Sequence, residues 1–135
     1  MSTYKEFEKY VKSNFRVGET PKDAPEGFML VFLDIPQNGR SQVLLIGKGH
    51  KSDLIGETAD VMSFVGDLKG AKLNEALEAS YGFALGGLVM LGGRVTFRHT
   101  ILLDNVDENE IDVPLTAVGF FADILERKFT GGDKF

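Results

Sequence analysis

Two adjacent glycines constrain the fold of this chain more than any other feature. Gly92 and Gly93 separate an apolar run over residues 86–91 from a longer one over residues 94–103. Two-residue hairpin loops need positive φ angles, which glycine adopts without steric cost. The second run alternates with a period of two, which predicts a β-hairpin with one buried face. The predicted apolar face carries Val95, Phe97, His99 and Ile101, and the polar face carries Arg94, Thr96, Arg98 and Thr100.

The segment after the hairpin carries one apolar stripe. Its members recur at spacings of three and four, as on one face of an α-helix: Ile111, Leu115, Val118, Ala122, Leu125 and Phe129. Asp107 and Glu110 match a capping box near the positive end of a helix. Because proline is tolerated in a first turn, Pro114 predicts a main helix that begins near Asp112, after a short turn from Asp107. The Thr-Gly-Gly sequence at 130–132 is expected to end it.

The first half of the chain predicts one helix and three strands. A helical stripe follows a Ser2-Thr3 cap and consists of Tyr4, Phe7, Val11 and Phe15. Apolar runs over residues 28–35 and 42–47 predict two strands joined by a turn at Asn38-Gly39. A third, weaker strand is expected over residues 58–65, partly exposed because it contains Asp60 and Ser63.

A short helix is predicted before the hairpin, with Leu73, Ala76, Leu77 and Tyr81 at helical spacing and Gly82 at its end. The predicted order is therefore α-β-β-β-α-β-β-α. An α+β fold follows, in which an antiparallel sheet has helices packed mainly on one face. With 135 residues the chain is near the modal domain size, so residues 1–135 are expected to form a single domain.

Composition argues against several classes of protein. The net charge of −5 argues against nucleic acid as the main partner. Neither an apolar run of membrane-spanning length nor a secretory leader is recognised, so we expect no membrane partner and a cytoplasmic location. The absence of cysteine excludes disulfides and thiolate chemistry.

A metal site is the first kind of chemistry to consider, because five carboxylates lie close together in the sequence. They are Asp104, Asp107, Glu108, Glu110 and Asp112. This segment lacks the sixth-position glycine and the twelfth-position glutamate of a calcium loop, and helix capping explains most of it. Two distant histidines do not make a zinc site. We therefore expect no metal.

Other catalytic and cofactor motifs are missing as well. The glycines in GKGHKSD at 47–53 and GGLVMLGGR at 86–94 do not lie between a strand and a helix start, as a phosphate loop requires. No serine lies in a nucleophile elbow. We expect no catalytic residue and no cofactor.

Two polar features keep alternative interpretations. The face with Arg94, Thr96, Arg98 and Thr100 could meet an acidic partner, although simple strand alternation produces such a face. His99 could sense pH, although a buried histidine hydrogen-bonded to backbone is the commoner arrangement. His50, in a loop rich in lysine and glycine, is expected to be solvated.

The outer helices are apolar over more than one stripe. Val113, Phe120 and Phe121 lie partly off the stripe of the last helix, and Tyr10 lies beside that of the first. A wide apolar helix is either fully buried in a monomer or completes a dimer or partner groove. We favour the interface.

The element order, together with four short motifs, resembles class I type III secretion chaperones. The motifs are FVGDL at 64–68, YGFALGGL at 81–88, VTFRHTILLDNVD at 95–107 and TGGDKF at 130–135. The chain is similar both to the Tir chaperone family and to the YbjN-type family of sensory transduction regulators. The likeness spans nearly the whole chain in element order and is best from Phe64 onward.

This resemblance implies a non-enzymatic homodimer that holds an extended segment of a partner protein. The alternative is a YbjN-type regulatory adaptor in stress or signalling on the same scaffold. Dimers of this kind pair through the middle helix and the adjacent hairpin, here residues 73–81 and 88–102. The candidate dimer or partner surface consists of Leu73, Leu77, Tyr81, Leu88, Met90, Arg94, Thr96, Arg98, Phe120 and Phe121.

Overall fold

The computed structural model describes residues 1–24, 26–36, 38–51 and 53–131. Within them the chain forms, in order, α1 Tyr4–Asn14, β1 Arg16–Val17, β2 Met29–Ile35, β3 Arg40–Lys48, β4 Thr58–Gly66, α2 Gly70–Ser80, β5 Gly87–Leu91, β6 Arg94–Leu102 and α3 Asn109–Thr130. The strands of this described part form one antiparallel sheet in the order β1-β2-β3-β4-β6-β5. The predicted α+β class is confirmed. The two-residue strand β1 was not predicted, because so short a run carries no periodic signal.

The predicted hairpin is present between β5 and β6. Leu91 pairs with Arg94 across Gly92 and Gly93, whose φ angles are 58° and 80°. These positive angles are the ones that a tight hairpin turn requires and that a residue with a Cβ adopts at a cost. Val95, Phe97 and Ile101 are buried on one face of β6, as the alternation predicts.

The prediction of β4 as a weak, partly exposed strand was wrong. β4 lies in the middle of the sheet, between β3 and β6. Ser63 is fully buried and donates its hydroxyl hydrogen to the Val43 carbonyl oxygen at 2.8 Å, while the Gln42 side-chain amide donates to Ser63 Oγ at 3.0 Å. A buried hydroxyl costs little when it is hydrogen-bonded, so polar composition did not place this strand at an edge.

The helices cover one face of the sheet. The buried side chains of α1 and α3 belong to the same core cluster as Val31, Leu44, Val61 and Phe97 from the sheet. α3 approaches the strands closely at Gly119, where an added Cβ would overlap the Leu33 side chain. The core therefore lies between the helices and one sheet face, as predicted.

The ends of α1 and α3 are capped as their sequences predict. In α1, Thr3 Oγ1 accepts from the Glu6 N–H at 3.2 Å, and Glu6 Oε1 accepts from the Thr3 N–H at 3.2 Å. In α3, Asp107 Oδ1 accepts from the Glu110 N–H at 2.8 Å. Gly131, with a φ of 68°, ends α3. Gly132 lies outside the described residues.

The start of α3 differs from the prediction. The helix begins at Asn109 and continues through Pro114, whereas we expected its main part to begin near Asp112. Pro114 cannot donate to the carbonyl oxygen of Glu110. Ile111, Pro114 and Leu115 are all buried, and this packing outweighs the missing hydrogen bond.

A buried ion-pair cluster anchors the second half of α3 to the start of β3. The side chains of Asp123 and Glu126 are 1% and 0% exposed. Arg40 Nε lies 2.7 Å from Asp123 Oδ1, and Arg40 Nη2 lies 3.6 Å from Glu126 Oε1. Asn38 Nδ2 and Arg127 Nε donate to Asp123 Oδ2 at 3.2 and 3.1 Å. We refer to Arg40, Asp123 and Glu126 as the buried ion-pair cluster.

Candidate partner-binding surfaces

The sheet face opposite the helices carries apolar side chains with no helix of the described chain above them. Two rows of cross-strand neighbours cross it. In one row Leu30 is paired with Leu45 and Leu45 with Met62. In the other, Phe32 is paired with Val43, and Thr96 lies between Phe64 and Val89. We define the open face as Leu30, Phe32, Val43, Leu45, Met62, Phe64 and Val89, all of them half-buried.

Sequence reasoning missed the open face, although a signal for it was present. Antiparallel strands with one solvent-exposed face alternate between apolar and polar residues. β2 instead reads Met-Leu-Val-Phe-Leu from residue 29, and β3 reads Val-Leu-Leu-Ile from residue 43. Such unbroken runs are typical of strands that are covered on both faces. In this structure a helical layer covers only one.

The charged side chains around the open face are already paired within the chain. Arg98 Nη2 lies 3.0 and 3.1 Å from the two carboxylate oxygens of Asp60, and Thr100 Oγ1 donates to Asp60 Oδ1 at 2.7 Å. The Arg94 guanidinium lies 5.5 Å from the centre of the Phe64 ring. Thr96 is fully buried. The predicted polar face therefore exists, but Arg98 already has an acidic partner within the same sheet.

A second apolar surface lies on the helix side, at the β5 end of the sheet. Tyr81 is 94% exposed at the end of α2, and Leu77 and Met90 are also exposed. One long side of β5 is a sheet edge in the described part of the chain, because β5 pairs only with β6 there. Leu91 pairs with Arg94 and therefore lies on the other side of the sheet. We refer to Leu77, Tyr81 and Met90 as the end surface.

The structure divides the predicted binding residues between these surfaces. Leu77, Tyr81 and Met90 lie on the end surface, and Leu73 and Leu88 are half-buried against the core beside it. In contrast, Arg94, Thr96 and Arg98 lie on the opposite side of the sheet, the side of the open face.

Phe120 and Phe121 have different environments. Phe121 packs into the core, where its ring stacks on Phe83 with centres 4.4 Å apart and meets the edge of Phe97 at 5.8 Å. Phe120 remains half-buried and lines a shallow groove on α3 with Val113 and Thr116. Phe121 is half-buried and also lines this groove, so its place at an interface stays a prediction although its ring completes an aromatic core cluster.

His99 is half-buried on the helix side of β6. Burial lowers the pKa of its imidazole from the ordinary value of 6.5. The expected hydrogen bond to backbone is absent, since the ring makes no hydrogen bond to any described residue. His50 is exposed, as predicted.

The acidic segment before α3 acts in helix capping. The Asp107 N–H donates to Glu110 Oε1 at 3.3 Å, which completes the capping box. Asp112 Oδ1 accepts the Tyr10 hydroxyl hydrogen at 2.6 Å, and this bond raises the pKa of Tyr10 to about 12. Across the described ranges, no group of three or more potential ligand side chains is placed to hold a metal ion.

No protein-family model matches this chain, and no curated protein matches it either. The likeness to the secretion-chaperone families therefore remains a prediction from the quoted motifs and the element order. Of the helices that the structure describes, none has both the length and the apolarity needed to cross a lipid bilayer.

Proposed function

We propose that this chain is a non-enzymatic protein-binding module that acts as a homodimer and holds an extended segment of a partner protein, in the manner of a secretion chaperone. The observation that carries the proposal is the open face. Its two consecutive rows are apolar across β2, β3 and β4, and Val89 of β5 lies beyond Thr96 in one of them. Cytoplasmic location is part of the same proposal.

The size of the open face supports a binding role. Strands lie about 4.8 Å apart and residues on one face repeat about every 7 Å, so the two rows cover roughly 200 Å² across β2, β3 and β4, where they are continuously apolar. Apolar patches of a few hundred Å² on monomers are often functional. Covering this face would remove from water the phenyl ring of Phe32 and the flexible thioether of Met62, a side chain that adapts to different partners.

The end surface supports self-association. A two-fold axis places the same patch on both subunits, so the patch must match itself. Leu77, Tyr81 and Met90 carry no charge and would not repel their own copies. The edge of β5 also offers unpaired backbone groups that a second β5 can complete in antiparallel register.

Site-specific photo-cross-linking in cells of the source organism tests both parts of the proposal. A photoreactive phenylalanine analogue would replace Met62 on the open face, Tyr81 on the end surface, or Lys9 on the exposed side of α1 as a control. We expect cross-links from position 62 to a segment of another protein, from position 81 to a second copy, and from position 9 to neither.

Different failures overturn different parts. The absence of another protein at position 62 overturns partner holding by the open face. Absence of a self cross-link at position 81, together with a monomer mass by light scattering, overturns the homodimer. Cross-links from position 62 to a folded domain, in place of an extended segment, would instead support the regulatory adaptor.

A further inference from the structure

The second half of β6 has one unpaired edge. β6 pairs with β4 as far as Thr58–Leu102, but its pairing with β5 ends at Gly87–Arg98. Residues 99–102 therefore extend beyond the end of β5. The part of the chain that the structure describes places no other strand on that side.

The backbone groups of Thr100 and Leu102 point to this empty side. The Leu103 N–H donates to the Glu57 carbonyl oxygen at 3.1 Å, on the side of β4. Hydrogen-bonding direction alternates along an antiparallel strand, so Thr100 and Leu102 point away from β4. Two N–H and two C=O groups are thus available to an added strand.

A groove of about 500 Å³ runs along this edge. Four consecutive β6 residues, 99–102, form one wall, and Val106 and the first turns of α3 form the other. Apolar side chains of Ile101, Val113 and Pro114 line it. A second groove of about 360 Å³, which also includes Val113, continues along α3 to Phe120. An extended segment on the β6 edge would place alternate side chains in this groove.

The negative charge around the groove favours a basic partner segment. No lysine or arginine occurs between Arg98 and Arg127. Five carboxylates lie in the segment that borders the groove: Asp104, Asp107, Glu108, Glu110 and Asp112. The Met1 amine, which donates to the Val106 carbonyl oxygen at 3.0 Å, offsets one of these charges. A second copy at this edge would bring two acidic segments together, which disfavours self-pairing.

We propose that a partner segment with alternating apolar residues and flanking lysines or arginines adds to β6 as a strand at residues 99–102. This inference rests on the proposed function and specifies one anchoring site and its charge preference. The backbone hydrogen bonds align the segment along β6, the groove binds its apolar side chains, and the carboxylates attract its flanking basic groups.

Fluorescence anisotropy with two matched peptides tests this proposal. One labelled peptide alternates valine and threonine between pairs of lysines, and the other has glutamates in place of the lysines. We expect the lysine peptide to bind at least about tenfold more tightly, because the glutamate peptide is repelled by the acidic segment. The Asp104→Asn/Glu108→Gln variant should reduce this preference.

A matched pair of variants separates the backbone bond from the side chain. Leu102 is 55% exposed, and its N–H points outward. Leu102→Pro removes that donor at an edge position where proline is tolerated, whereas Leu102→Ala keeps it. We expect about tenfold weaker binding of the lysine peptide by Leu102→Pro and a smaller loss by Leu102→Ala. In the unmodified protein, bound peptide should slow amide hydrogen exchange at Thr100 and Leu102.

The outcomes distinguish this site from the general function. Equal affinity for the two peptides, no binding of either at millimolar concentration, or unchanged exchange at Thr100 and Leu102 overturns the β6 site. If the analogue at position 62 still captures an extended partner segment, the proposed function stands without this site. A lysine peptide that binds the β6 edge while position 62 captures nothing supports the β6 site and overturns the open-face function.

Discussion

Replacing Arg40 with methionine tests what holds α3 against the sheet. Methionine keeps an apolar stem of similar length and removes the guanidinium. Asp123 and Glu126, 1% and 0% exposed, then lose the cation that lies 2.7 and 3.6 Å from their nearest oxygens. Asp123 keeps the donors of Asn38 and Arg127.

The magnitude follows from burial. Removal of one partner from a buried ion pair costs about 3–5 kcal/mol, because a charge remains without compensation in a poorly solvated site. The remaining donors to Asp123 place our expectation at the lower limit, about 3 kcal/mol. With about 2.1 cal/mol/K of unfolding entropy per residue over 135 residues, this corresponds to a Tm lower by roughly 11 °C.

A surface pair in the same sheet supplies the control. Arg16 Nη2 lies 3.1 Å from Asp34 Oδ1, but these side chains are 61% and 73% exposed. Arg16→Met should therefore cost about 0–1 kcal/mol. Urea unfolding at one fixed protein concentration gives the free energies of both variants, since self-association would make stability depend on concentration.

A double variant tests the physical cause. Glu126→Gln removes one buried negative charge with little change of shape, so Arg40→Met/Glu126→Gln should be more stable than Arg40→Met alone. If Arg40→Met lies within about 1 kcal/mol of Arg16→Met, or if the double variant is the less stable one, burial of uncompensated charge is not the cause.

Three further predictions test the packing of α3 and the shifted pKa values of His99 and Tyr10. Gly119→Ala should destabilise the fold by about 1–3 kcal/mol in urea unfolding, because the added methyl overlaps the Leu33 side chain. Gly87→Ala, with open space around its Cβ position, is the control and should change stability by less than about 1 kcal/mol. Equal effects of the two substitutions would contradict the close approach of α3 to the sheet. Burial holds the pKa of His99 below 6.5 in the folded protein, so the unfolded chain binds the proton more readily. His99 therefore contributes stability above pH 6.5, and this stability is lost as the pH falls through the pKa of the folded state. The decrease in unfolding free energy between pH 7.5 and pH 5.5 should be smaller in His99→Gln, and an unchanged decrease would refute the assignment. Tyr10→Phe removes the 2.6 Å hydrogen bond to Asp112 that joins α1 to α3, and it should lower the free energy of unfolding by about 1 kcal/mol. The tyrosine that ionises near pH 12 in ultraviolet titration should disappear in this variant. Retention of that ionisation would refute its assignment to Tyr10.

The candidate surface was only partly predictable. Leu77, Tyr81 and Met90 were predicted as interface residues and are exposed at one end of the sheet. Phe121 was predicted with them, but its ring packs against Phe83 and Phe97 in a space that exists only after α3, β6 and the loop between α2 and β5 have come together. Helical spacing gives the direction of a side chain and does not show which neighbour it meets.

Features determined by neighbouring residues followed from the sequence alone. The β5–β6 hairpin depends on the positive φ angles of Gly92 and Gly93, and the helix caps depend on groups three residues apart, as in Asp107 and Glu110. The periodic stripes of α1, α3 and β6 also gave the buried faces. In each case the deciding interaction lies within one turn or one pair of strands, so local chemistry was sufficient.

Only the tertiary structure decided what depends on distant partners. The central place of β4, the burial of Asp123 and Glu126 beside Arg40, and the passage of α3 through Pro114 each require contacts between segments far apart in the chain. The open face and the free edge of β6 are of the same kind, because they arise from where the helices pack and where β5 stops pairing. Local periodicity records that a side chain must be buried, whereas the order of strands and the packing of helices determine which surface remains to be covered.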